Sequence, residues 1–75
     1  MTLSGLIKYK IVDKHTGVRR FFVNAQVISA FLWGRSVTGF KFYAKPFEDK
    51  GMYKRIKLKE PYELKNIETQ LENCL

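Results

Sequence analysis

Cysteine and histidine are scarce in this chain of 75 residues, and their scarcity excludes several kinds of site. Cys74 is the only cysteine, so the sequence provides neither a disulfide framework nor a cluster of thiolate ligands for a metal ion. His15 is the only histidine, and its place between Lys14 and Thr16 is typical of a solvated turn rather than of a metal site. We therefore expect no metal ion and no cofactor.

Long apolar runs are also missing from the sequence. No segment approaches the length needed to cross a membrane, and residues 1–10 lack the apolar core of a signal peptide. Together with the single unpaired cysteine, these features predict a cytoplasmic protein with no membrane partner.

No motif in the sequence is typical of catalysis or of nucleotide binding. Residues 34–39, GRSVTG, place Arg35, Ser36 and Thr38 between two glycines and resemble a small phosphate cradle. This segment follows the end of a predicted helix, however, where the helix dipole is negative and disfavours an anion. A helix cap that leads into a strand is the simpler interpretation. We expect a non-enzymatic protein, since a small core also leaves little volume for a catalytic pocket.

Acidic residues are the minority among the charged ones. The chain has 14 Lys and Arg residues against 7 Asp and Glu residues, giving a net charge of +7 and a pI near 9.8. Residues 1–45 contain eight of the basic residues but only Asp13 as an acid. This imbalance predicts an anionic partner, either DNA or RNA or an acidic surface of a larger protein. The alternative is that the lysines serve only solubility.

The residues that are present indicate one folded domain over residues 1–75. Hydrophobic residues make up 45% of the chain and aromatic residues 15%. A domain of this size buries roughly 60–65% of the surface of its unfolded chain. The longest stretch without charge is Phe21–Gly34. We expect it to run from the end of a strand into one buried helix, with Phe21 or Phe22 through Leu32 building the core.

The first part of the chain predicts a β-hairpin. Apolar residues alternate with Lys8 and Lys10 within Gly5–Val12, which is the two-residue period of a half-buried strand. Asp13–Gly17 is rich in turn residues, and Val18–Val23 favours a second strand that pairs back on the first.

A short helix is predicted next, over Ala25–Trp33. Asn24 is a favourable N-cap and Gly34 a favourable C′ residue; a strand running from Val23 to Val27 is the alternative. Trp33 lies outside the apolar arc, so it is either covered by the C-terminal helix or exposed as a binding anchor. The residues expected to face the core are Ala25, Val27, Ile28, Phe31 and Leu32.

The second half of the chain predicts another hairpin and a C-terminal helix. After the Arg35–Gly39 loop, strands are expected from Phe40 to Lys45 and over Met52–Lys59, joined by a turn at Pro46–Gly51. Met52, Ile56 and Leu58 are expected to point inward. Pro61 suits the first turn of a helix. The apolar stripe of that helix, which must dock on the sheet, on a second copy or on a partner, comprises Leu64, Ile67, Leu71 and Cys74 or Leu75.

These elements predict an α+β fold. It has a four-stranded antiparallel sheet in the order β-β-α-β-β-α, with one central and one C-terminal helix.

The leading hypothesis for function is nucleic-acid binding through a basic sheet face that carries tyrosines. Lysine and arginine displace counterions from phosphates, and exposed tyrosine stacks on unpaired bases. The alternative reading of such residues is protection of exposed strands against edge pairing. The candidate residues are Lys8, Lys10, Lys41, Tyr43, Lys45, Tyr53, Arg55, Lys57 and Lys59.

The second hypothesis is a small accessory protein that binds and modulates a larger protein or complex. The residue usage and small size are similar in style to small accessory proteins of phages and mobile elements, a likeness of composition that carries over no site. A homodimer through the C-terminal helix is a further alternative. The residues expected to matter for protein binding are Trp33, Arg35, Leu64, Ile67 and Leu71.

Overall fold

A computed structural model of the protein describes residues 8–45 and 52–73. The predicted α+β class is confirmed: four antiparallel strands form one sheet, and two helices cover one of its faces. The elements are β1 (Tyr9–Asp13), β2 (Arg19–Phe22), α1 (Ala25–Leu32), a 3₁₀ turn (Val37–Gly39), β3 (Phe40–Ala44), β4 (Lys54–Ile56) and α2 (Leu64–Glu72).

The strands are ordered β2-β1-β3-β4, so the first hairpin and the second hairpin meet along β1 and β3. Lys10 of β1 lies opposite Phe21 of β2 and opposite Tyr43 of β3. Tyr43 in turn lies opposite Arg55 of β4. Because directly paired residues of antiparallel strands point to the same face, this register fixes which side chains share a surface.

The turn between β1 and β2 is held by one carboxylate. Asp13 Oδ1 accepts hydrogen bonds from the backbone N–H groups of His15, at 2.7 Å, and Thr16, at 3.1 Å. Gly17 completes the turn with φ of +76°, a value that glycine adopts without steric cost. The predicted hairpin is therefore confirmed in the residues described, which begin after Ile7.

Helix α1 starts where the sequence indicates and ends one residue earlier. Asn24 Oδ1 accepts a hydrogen bond of 2.9 Å from the N–H of Val27, as an N-cap does. The last helical residue is Leu32, and Gly34 takes φ of +76° just beyond it. Trp33 has left helical geometry, with ψ of 120°. A helical wheel therefore does not apply to its side chain.

The core lies between the sheet and the two helices, which pack side by side. One buried hydrogen bond crosses it, because Tyr9 Oη donates to the carbonyl oxygen of Leu71 at 3.0 Å. The buried residues are Tyr9, Ile11, Ala25, Ile28, Leu32, Phe42, Ala44, Ile56, Ile67 and Leu71.

Three residues expected in the core are exposed. Val27 is 45% exposed because α2 packs on the other side of α1, where Ser29 Oγ donates to Glu68 Oε2 at 3.3 Å. Phe21 is 53% exposed because its pairing with Lys10 turns it away from the helices, so the core on β2 begins at Phe22. Met52 is 67% exposed because it precedes β4, outside the alternation of the strand.

The second hairpin is shorter than predicted, since β4 ends at Ile56 instead of continuing to Lys59. The backbone N–H and C=O groups of Lys59 are both bonded by the Gln70 side chain, at 2.8 and 2.9 Å. These bonds hold the segment before α2 against the helix. The prediction that Pro61 lies in the first turn of α2 is wrong, because the helix starts at Leu64 after Glu63 as N-cap. The predicted 46–51 turn, Cys74 and Leu75 lie outside the described residues.

Candidate nucleic-acid interface

The face of the sheet opposite the helices, called the open face below, carries alternate residues of all four strands. Its centre is Lys10, which the register places between Phe21 and Tyr43. The residues of the open face are Lys8, Lys10, Val12, Arg19, Phe21, Lys41, Tyr43, Lys45, Tyr53 and Arg55, with Lys57 just beyond β4.

Cationic side chains pack on aromatic rings at the centre of the open face. Lys10 Nζ lies 4.5 Å from the ring centroid of Tyr43 and 4.9 Å from that of Tyr53. Lys45 Nζ lies 5.5 Å from the Tyr53 centroid, and the guanidinium carbon of Arg55 lies 5.8 Å from the Tyr43 centroid. These are cation–π distances, and the mutual contacts restrict side chains that would otherwise move freely in solvent.

The rings span the width of the open face. The centroids of Phe21 and Tyr53 are 6.1 Å apart, with their planes inclined by 54°, although Phe21 belongs to the edge strand β2 and Tyr53 immediately precedes the other edge strand, β4. Phe21 leaves more than half of its surface in solvent. Burial raises the pKa of Tyr53 above its ordinary value of 10.0, so its phenol remains neutral at physiological pH. The face therefore offers uncharged aromatic surface beside positive charge.

No acidic side chain of the described residues lies on the open face. Asp13, at the end of β1, follows the same alternation as Tyr9 and Ile11 and points to the helix side. The N–H groups of Thr16 and His15 stabilise its carboxylate and lower its pKa below 3.8. The positive charge of the open face is thus not neutralised by a carboxylate among these residues.

Most of the predicted nucleic-acid site comes together on the open face, with two marginal members. Lys8 borders a hollow shared with Asn24 and Glu72 at one end of the sheet. Lys59 lies on the segment whose backbone is bonded to Gln70, beyond the end of β4.

Sequence reasoning missed one cation and one aromatic ring of the open face, Arg19 and Phe21. Their positions follow from the pairing of Val12 with Arg19 and of Lys10 with Phe21. The signal was present in the chain, because the outward position of Lys10 fixes that of its partner in a hairpin. Adjacent Phe21 and Phe22 concealed it, since either could be taken as the core residue.

The residues predicted for protein binding do not form one surface. Leu64 is half-buried, while Ile67 and Leu71 are fully buried in the chain's own core. The apolar stripe of α2 is therefore docked within the chain. Trp33, in contrast, is 76% exposed, so α2 does not cover it.

Arg35 contacts both the ring and the backbone of Phe31. Its guanidinium carbon lies 4.4 Å from the Phe31 ring centroid, and its Nη1 donates to the Phe31 carbonyl oxygen. The guanidinium of Arg20 approaches the same ring, at 5.2 Å. The two arginines thus pack on the same ring on the helix side of the sheet, and Trp33 lies two residues before Arg35 in the chain.

Comparisons with known proteins add no family to this description. No protein-family model, no curated protein and no solved structure matches the chain. Within residues 8–45 and 52–73, neither helix has the length and apolar character to cross a membrane, and no three His, Cys, Asp or Glu side chains gather as metal ligands. The function is therefore argued from the geometry of the surface.

Proposed function

We propose that the protein is a non-enzymatic module that binds single-stranded DNA or RNA on its open face. One observation carries this proposal. The open face combines basic side chains with the rings of Phe21, Tyr43 and Tyr53, and none of the described residues adds a carboxylate to it.

The two kinds of side chain have complementary tasks on such a surface. Lysine and arginine neutralise phosphates and release counterions, which supplies affinity that does not depend on sequence. Aromatic rings stack on unpaired bases, and each stacked base contributes about 1–3 kcal/mol. Phe21 is the most exposed of the three rings and the first that a base would reach.

A single strand suits this surface better than a duplex. Reading duplex DNA requires an element that enters a groove, most often a helix with polar or basic side chains. Helix α1 has no charged residue, and α2 carries Lys65 together with Glu68 and Glu72. A broad sheet face with rings matches the mode in which single strands lay their bases on aromatic side chains.

The test is a triple substitution on the open face with a matched control. Replacing Lys41, Arg55 and Lys57 by alanine removes three charges from the proposed path of the strand. The control replaces one arginine and two lysines that lie off the open face, so its net charge is the same. The control residues are Arg20, Lys54 and Lys65.

Binding to a labelled single strand is measured for both triple variants at several salt concentrations. The open-face variant should lose most of its affinity, and its log–log salt slope should become shallower by about 2, since each phosphate contact in a single strand contributes about 0.7. The control variant should keep an affinity and a salt slope close to those of the wild-type protein. Equal losses in the two variants would show that net charge, and not the open face, governs binding.

The exposed Trp33 supports a second candidate function, the binding and modulation of a larger protein. Tryptophan is strongly enriched in binding hot spots, and Trp33 is the most exposed of the large hydrophobic side chains described. Co-purification from a nuclease-treated lysate tests this candidate. A stoichiometric protein partner that is retained by the wild-type chain and lost on Trp33→Ala supports it; a partner retained equally by both contradicts the role of Trp33.

A further inference from the structure

A cleft opens where β4 ends and the chain leaves the edge of β3. Its volume is about 200 Å³. Its floor is apolar, with the buried Phe42 and Ile56 and the half-buried Val37, Phe40 and Leu58. The rim residues are Lys14, Thr38, Arg55, Lys57 and Tyr62.

The lining defines the ligand chemistry. The floor offers a hydrophobic surface with two aromatic rings. Among the described residues, three cations and two hydroxyl groups surround it and no carboxylate lines it. The volume lies below the roughly 300–1,000 Å³ that accommodates a drug-sized molecule. The cleft therefore fits a single flat ring system attached to an anionic group that remains at the rim.

The cleft floor lies on the helix side of the sheet, because Phe40, Phe42 and Ile56 point that way, and the cleft meets the open face at the β4 edge. Arg55 lines the cleft and also packs on Tyr43 at the centre of the open face, and Lys57 follows on the same strand. A strand that crosses the open face and bends around the β4 edge would reach the cleft with its phosphates near Lys57 and Lys14. A base is the only part of that strand that is flat, largely apolar on its faces and attached to an anion.

We propose that this cleft captures one unstacked base of the single strand that lies on the open face, an inference that rests on the proposed function. Phe40 and Phe42 provide the apolar contact for the base, while Lys14 and Lys57 hold the flanking phosphates. Thr38 and Tyr62 offer hydroxyl groups to the polar edge of the base. The cleft is thus a single-base subsite at one corner of the interface.

The test blocks the cleft without changing charge. Thr38 is an exposed rim residue, so Thr38→Trp places a large ring at the mouth and leaves the buried floor intact. The matched control is Thr69→Trp, the same substitution at an exposed position of α2 that does not line the cleft. Thermal unfolding of both variants checks that the fold is kept.

Two probes distinguish base contacts from phosphate contacts. One is an oligothymidine of about 12 nucleotides, which is within the site sizes known for single-strand binders. The other is an abasic strand with the same number of phosphates. Thr38→Trp should weaken oligothymidine binding about tenfold, the scale of losing one base contact, and leave the abasic strand unaffected. Thr69→Trp should change the affinity for neither strand. In the wild-type protein, oligothymidine but not the abasic strand should shift the amide NMR signals of Val37 and Leu58.

The remaining outcomes overturn the inference in different ways. If Thr38→Trp binds oligothymidine as Thr69→Trp does, or if the amides do not shift, the cleft holds no base, and the proposed function stands as long as the open-face variant loses binding. If Thr38→Trp weakens both strands equally, the cleft contacts phosphate and not a base. If neither strand binds the wild-type protein, the proposed function fails and this inference fails with it.

Discussion

The two faces of the sheet are built from the same strands and differ in almost every physical property. On the helix side, Tyr9 and Ile11 of β1 are buried against α1 and α2. On the open side, Lys10 lies between them in sequence yet contacts two tyrosine rings and solvent. Because side chains alternate along a strand, a shift of one position along the sequence moves a side chain from the core to the surface.

This contrast indicates that stability and binding can be changed independently. A substitution on the helix side should alter the free energy of unfolding and leave the chemistry of the open face intact. A substitution on the open face should do the reverse. Four substitutions test that separation.

Ile67→Ala should have the largest effect. Ile67 is completely buried between the helices and the sheet, so the substitution leaves a cavity. The expected loss in the free energy of unfolding is about 2–5 kcal/mol, measured by chemical denaturation. The exposed neighbour Lys65→Ala serves as control and should change stability little. A loss below about 1 kcal/mol for Ile67→Ala would mean that α2 is not part of the core.

Tyr53→Ala should weaken single-strand binding by about 5- to 150-fold, corresponding to the loss of one stacked base. Stability should change much less, since Tyr53 is only half-buried and lies outside the core cluster. Tyr53→Phe keeps the ring and should keep most of the affinity. If Tyr53→Ala reduces the free energy of unfolding strongly but leaves the single-strand affinity unchanged, stability and binding cannot be separated at this position.

Tyr9→Phe should reduce stability by about 1–2 kcal/mol, because it leaves the carbonyl oxygen of Leu71 without its buried donor. Thermal unfolding measures this loss. Tyr43→Phe makes the same chemical change on the open face and should cost less, because its ring is half-exposed. Equal losses would indicate that the buried hydrogen bond gives no special stabilisation.

Asp13→Ala should have the smallest effect, and that effect should depend on pH. The folded-state pKa of Asp13 is lowered, mainly by the N–H groups of Thr16 and His15, so its carboxylate stabilises the fold above the ordinary pKa of 3.8. That contribution is lost as pH falls through the lowered value. Melting temperatures of the two proteins should therefore differ at neutral pH and converge in strong acid. A constant difference would exclude the carboxylate charge as the cause.

The order of elements could be predicted because its signals are local. Alternation around Lys10, turn residues from Asp13 to Gly17, and the capping pair Asn24 and Gly34 each act within a few residues. These features predicted the first hairpin and α1 to within a few residues. The basic character of the open face followed from the same alternation.

The wrong predictions concern features that depend on packing between elements far apart in the sequence. The exposure of Val27 depends on which side of α1 receives α2, and that choice is made by residues about forty positions away, such as Glu68. The early end of β4 likewise depends on Gln70, whose side chain bonds the Lys59 backbone. The exposure of Trp33 reflects a backbone that has already left the helix. Helical and strand periods contain none of this information.

The hydrogen bond from Tyr9 to Leu71 also has a consequence for biosynthesis. It joins residues 62 positions apart, so β1 emerges from the ribosome long before the helix that completes its surroundings exists. Contacts between residues so far apart in sequence form late and slowly during folding. A chain released before residue 64 would expose the apolar side of the sheet. Folding of this domain is therefore expected to be coupled to the synthesis of α2, and shortened products should be recognised by chaperones or proteases.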